Sequence, residues 1–104
     1  MSNTQSDGAV AEKLRPTPLK KPSQWSVIFL NDDVTTMDFV VSLLIDFFDK
    51  DFDSATDLML TIHLKGSAVV GIYSKDIAET KRFLALQRCQ QAGFPLRIEL
   101  EEVK

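Results

Sequence analysis

Cysteine occurs once, at Cys89, so no internal disulfide can form and the chain fits a reducing compartment. No stretch approaches the roughly 18 apolar residues of a membrane-spanning helix, and the N-terminus lacks an apolar signal-peptide core. These absences predict a soluble, cytoplasmic protein without membrane attachment. The four glycines are scattered, so there is no glycine-rich phosphate loop. A single histidine and one remote cysteine fall short of the three or four protein ligands that zinc sites usually need, and no calcium-loop spacing is present. No serine or cysteine sits in a recognisable nucleophile elbow. Binding is therefore favoured over catalysis, with neither metal nor other cofactor expected.

Positive charge is also scarce where a polyanion would need it. Lys13, Arg15, Lys20 and Lys21 against Asp7 and Glu12 give residues 1–24 a charge of +2, and the formal total of −3 leaves −5 on the remainder. An acidic body argues against nucleic acid, which wants a basic face. Residues 1–24 are polar and carry Pro16, Pro18 and Pro22. They hold too little apolar surface to offset chain entropy and are expected to form a disordered arm before one domain over residues 25–104.

That domain is organised around the run WSVIFLNDD from Trp25 to Asp33. Unbroken hydrocarbon from Val27 to Leu30 reads as a strand buried on both faces, and three polar residues follow where the strand leaves the core. Thr35 with Asp38 matches a capping box, which predicts a helix from Thr36 or Met37 to Asp49, buried over most of its circumference. Ser54 with Asp57 suggests a second box, ahead of a helix whose inner face is Ala55, Leu58, Met59 and Ile62 and whose end is Gly66. His63 lies at the border of that face. Ser67–Tyr73 reads as a strand rich in β-branched residues. Ser74 is the expected cap of a third helix reaching about Gln91, with a stripe of Ile77, Ala78, Leu84, Ala85 and Cys89 into which Lys81 intrudes. Leu96–Glu101 alternates strictly, as a half-buried strand does. The order β-α-α-β-α-β predicts a compact α+β domain: a three-stranded antiparallel sheet, its first strand central, packed with three helices.

Asn31, Asp32 and His63 are the candidate polar site. Asn-Asp-Asp after a strand is commonly turn chemistry, and Met37 and Met59 taken singly read as core filler. Together, however, an amide oxygen, a carboxylate and an imidazole nitrogen are three acceptors suited to a charged amine beside an apolar pocket.

Three segments carry a resemblance to a known family: LNDDVTTMDFV from Leu30 to Val40, ATDLMLTIHLKG from Ala55 to Gly66, and AETK from Ala78 to Lys81. In register, they strongly resemble the ClpS adaptor family over residues 22 to about 102. The resemblance implies a monomeric adaptor that recognises bacterial N-degrons, proteins beginning with Leu, Phe, Tyr or Trp, and delivers them to a Clp AAA+ unfoldase and its peptidase. It implies that Asn31, Asp32 and His63 bond the substrate's α-amino group. Thr35, Met37, Val40, Met59, Ile62 and Leu96 would line the side-chain pocket. Glu79, Thr80 and Lys81 would dock on the unfoldase's N-terminal domain, which would engage the arm during transfer. Val34 stands where the family commonly has an aromatic residue, and Thr36 where it commonly has proline; neither is an amine-binding position.

Two alternatives compete with the adaptor reading. One is a related recognition domain of the kind found in eukaryotic ubiquitin ligases. The other is a small metal-dependent enzyme using Asp32, Asp33 and His63.

Overall fold

The computed structural model describes residues 22–104. The expected arm lies outside the described residues except for its last three, and of these Gln24 already belongs to the first strand. The elements are β1 (Gln24–Leu30), α1 (Met37–Phe47), α2 (Phe52–Lys65), β2 (Ser67–Ser74), α3 (Lys75–Ala92) and β3 (Arg97–Glu102). The sheet order is β2-β1-β3, with both neighbours antiparallel to β1, as the element order requires.

β1 is central but is not sealed on both faces. Val27 and Phe29 are fully buried, whereas Ser26, Ile28 and Leu30, which alternate with them, are half-buried. The helical core residues Leu43, Leu44, Ala78, Ala85 and Cys89 join Val27 and Phe29 in one cluster. The opposite face, with Val69 and Ile72 of β2, stays open to solvent. Val27 pairs with Gly71 and Ile28 with Val69, leaving the buried Val70 as the extra residue of a bulge.

The helix starts differ from the capping boxes read in the sequence. Thr36, not Thr35, caps α1: its hydroxyl accepts the Phe39 N–H at 3.3 Å. Its φ of −74° lies where proline would hold the backbone, so threonine keeps that geometry and adds a cap bond. α2 begins three residues before Ala55, because Asp51 accepts the Ser54 N–H at 2.8 Å and does the capping instead of Ser54. Its carboxyl is held below the usual range by that bond. Ser74 occupies the cap position of α3, but its hydroxyl makes no cap bond.

α1 stops two residues short of Asp49, which takes a left-handed φ of 59°. Val40, Val41, Leu43 and Leu44 are buried, while Ile45 is exposed, so burial covers less of α1 than its composition suggests. α2 ends at Gly66, whose φ of 94° is the left-handed cap that glycine tolerates. On α3 only the small residues Ala78, Ala85 and Cys89 are buried; Ile77 and Leu84 face solvent. Burial pushes the Cys89 thiol up, and the charge of Asp32 acts in the same direction.

Lys81 explains its own place in the apolar stripe. Its ammonium donates to the Phe47 carbonyl at 2.7 Å and lies 3.5 Å from Asp49 Oδ2. It sits 5.1 Å from the Tyr73 ring and 6.0 Å from that of Phe48. The cation thus caps the frayed end of α1 and ties α1, α3 and β2 together. The Phe48 ring in turn meets Phe29 edge-on, with centroids 5.3 Å apart.

Candidate functional site

The end of β1 and the end of α2 are tied by one backbone bond, Asn31 N–H to Gly66 O at 2.8 Å. Since Gly66 closes α2, this bond sets His63, one helical turn earlier, against the loop that leaves β1. The left-handed glycine is therefore part of how the site is built.

Within that loop Asp32 is the organiser. Its Oδ1 accepts the N–H groups of Val34 at 2.8 Å and Thr35 at 2.7 Å, and its Oδ2 accepts the Thr35 hydroxyl at 2.8 Å. Burial works against the charge, but the bonds from Thr35 and Val34 outweigh it and hold the carboxyl below its ordinary value. The turn chemistry expected of such a segment is real, and it serves to fix an ionised carboxylate. An oxygen with one bond from Thr35 keeps lone-pair capacity for a further donor.

Asn31, Asp32 and His63 line a single cavity of about 310 Å³. Its apolar wall comes from Val40 and Ile62, both nearly inaccessible, with Thr35, Met37 and Met59. Met37 is 43 % exposed and Met59 half-buried, so the two methionines lie toward the mouth while Val40 and Ile62 form the floor. Asp33, Val34 and Thr36 also line the cavity. None of the three is among the pocket residues expected from the sequence, although all belong to one unbroken loop that borders the hollow. Together Asp32 and Asp33 make its rim acidic.

Leu96 does not line this cavity. It is 5 % exposed and packs in the core with Ile98, two positions along and on the same side of the chain. Glu79 and Thr80 are exposed on α3, whereas the Lys81 side chain, 21 % exposed, is held inside as described. A larger hollow of about 620 Å³ between Gln24, Ser74 and Val103 lies against the first described residues, and none of the described residues lining it is charged.

Asp32, Asp33 and His63 border the same space, but among the described residues no three His, Cys, Asp or Glu side chains form a group able to hold a metal ion. The arrangement suits a cationic head group with an apolar body: acceptors at the rim, hydrocarbon below. Among the described residues no helix is long and apolar enough to cross a membrane.

A sequence model of the family described as "ATP-dependent Clp protease adaptor protein ClpS" matches residues 20–99. A protein of Herminiimonas arsenicoxydans named ATP-dependent Clp protease adapter protein ClpS is 44% identical over 103 residues, covering 99% of this chain and all of that one. The protein of the same name from Oleidesulfovibrio alaskensis is 45% identical over 93 residues, 89% of each chain. Among solved structures, Agrobacterium tumefaciens ClpS2 bound to L-phenylalaninamide is similar with a TM-score of 0.77 and 40% identity, covering 80% of this chain and 100% of that one. An adapter's role is not catalytic, in keeping with a site built of acceptors and hydrocarbon. The chain belongs to the ClpS family of ATP-dependent Clp protease adaptor proteins.

Proposed function

We propose that this adaptor binds the free α-amino group and large hydrophobic first side chain of N-degron substrates beginning with Leu, Phe, Tyr or Trp, and delivers them to a Clp AAA+ unfoldase-peptidase. The observation that carries the reading is the cavity itself, where Asn31, Asp32 and His63 stand at the rim above walls of Met37, Val40, Met59 and Ile62. A free α-amine, with a pKa of about 7.7–8.0, is mostly charged at neutral pH and offers three donors to three acceptors. The apolar wall adds roughly 1.5–3 kcal/mol for a large side chain fully buried. Methionines at the mouth can adapt to both aliphatic and aromatic guests. The amide bound by the Agrobacterium relative, an amine beside an aromatic side chain, has the same two parts.

In this reading the domain of residues 25–104 works as a cytoplasmic monomer. Glu79 and Thr80 meet the unfoldase's N-terminal domain directly, and Lys81 shapes the surface they stand on. Residues 1–24 form the arm that the unfoldase engages. A double-mutant cycle tests the amine contact. Asp32→Ala and His63→Ala should each weaken a Phe-starting peptide by about 1–3 kcal/mol, and non-additively, because both act on one ammonium. Fully additive or negligible losses in calorimetry would remove the shared-amine geometry.

A further inference from the structure

Met59 borders two hollows. On one side it walls the amine cavity; on the other it closes a groove of about 480 Å³ along the seam between α1 and α2. The groove's other apolar lining is Val41 and Ile45 of α1 and Phe52 of α2, with Ser42 and Thr56 as its hydroxyl groups and Asp38 as the one charged side chain among the described residues. Phe52 is 66 % exposed and Ile45 38 %, so two large hydrocarbon side chains face solvent on facing helices. Such a pairing beside the candidate cavity is an exposed apolar surface that a partner chain could cover. On α2, Met59 lies seven positions beyond Phe52, a rise of roughly 10 Å at about 1.5 Å per helical residue. About three residues of extended chain, at roughly 3.3 Å each, span that length.

We propose that this seam is a second subsite of the same binding surface, one that takes the side chains at about the third and fourth positions of a substrate whose first residue fills the cavity. The inference rests on the amine-cavity reading. The occupant is an extended, apolar segment free of acidic residues: Ile45 and Phe52 supply the hydrocarbon, and Asp38, with Asp32 and Asp33 at the cavity rim, repels carboxylates. Met59 lines both hollows, so the groove neighbours the cavity across a single side chain, and a chain leaving the cavity over Met59 meets it next.

The test uses the full chain and three probes: L-phenylalaninamide, a free-amine peptide Phe-Ser-Ser-Ser-Gly, and its counterpart Phe-Ser-Leu-Leu-Gly. The Leu peptide should bind about tenfold more tightly than the Ser peptide, equivalent to ~1.4 kcal/mol. Phe52→Ser and Ile45→Ser, both at exposed positions, should reduce that advantage to under about twofold while leaving the affinity for phenylalaninamide and the melting temperature in place. Equal affinity of the two peptides, or an advantage that survives in both variants, overturns the groove while phenylalaninamide binding keeps the cavity reading intact. Failure of phenylalaninamide to bind the unmodified protein overturns both.

Discussion

Thr35→Val isolates one hydrogen bond at the centre of the site. Valine keeps the shape of threonine and removes the hydroxyl that donates to Asp32 Oδ2 at 2.8 Å, while the two backbone bonds to Oδ1 remain. A hydrogen bond to a charged group contributes about 1.5–3 kcal/mol; Asp32 is only half-buried, so the lower part of that range applies. The Asp32 carboxyl lies below its ordinary value: burial raises it, and the bonds from Thr35 and Val34 lower it more. With a depressed folded value, the stabilising contribution is present above the unfolded carboxylate pKa of about 3.9 and is lost as pH falls through the folded value. Removing the hydroxyl raises the folded value, so loss should begin at higher pH in the variant. In the proposed function the same carboxylate meets the substrate's amine, so the acid limb of peptide affinity should move upward with it. Fluorescence anisotropy of a Phe-starting peptide between about pH 3 and pH 6 reads the limb. Thr35→Ser, which keeps the hydroxyl, should restore it. Coincident acid limbs for Thr35→Val and the unmodified protein, or a Ser variant that behaves like Val, would refute this role for the hydroxyl.

Two further outcomes follow from side-chain placement. Met37→Ala should admit Ile- and Val-starting peptides at under about 1 kcal/mol in stability, since Met37 is 43 % exposed and stands outside the core cluster; a melt beside a peptide panel checks both halves. Lys81→Ala should cost about 1–3 kcal/mol in denaturant unfolding, because it frees the Phe47 carbonyl and empties the space beside Tyr73, whereas Glu79→Ala should leave the melt unchanged; equal melts for the two variants would contradict the structural role given to Lys81.

The element order and the central strand were legible because they rest on long patterns: hydrocarbon over Val27–Leu30, alternation over Leu96–Glu101, and the parity of helical connections. Caps were less legible. Polar residues come in clusters at both helix starts, Thr35-Thr36 and Asp51 to Ser54, and a capping-box pattern cannot say which member holds the extended backbone that a cap requires. Thr35 was free to bond Asp32 because Thr36 took the cap. Lys81 looked like a flaw in an apolar stripe, since the carbonyl that receives it belongs to Phe47, 34 residues away. Leu96 is a pocket residue by family likeness alone; two positions before Ile98, it shares that residue's side of the chain and packs in the core. The acceptor trio was readable as chemistry; its convergence depended on a backbone bond from Asn31 to Gly66 that no local pattern announces.

The central claim is that this site holds a charged α-amine. The direct measurement is a calorimetric titration of the full chain with one Phe-starting peptide, free at its N-terminus or acetylated. Acetylation removes the charge and two of the three donors that Asn31, Asp32 and His63 are proposed to accept, leaving a fixed carboxylate without a cationic partner. Clear saturation is expected with the free peptide and near-abolition of binding with the acetylated one. Equal affinity for the two would contradict the claim.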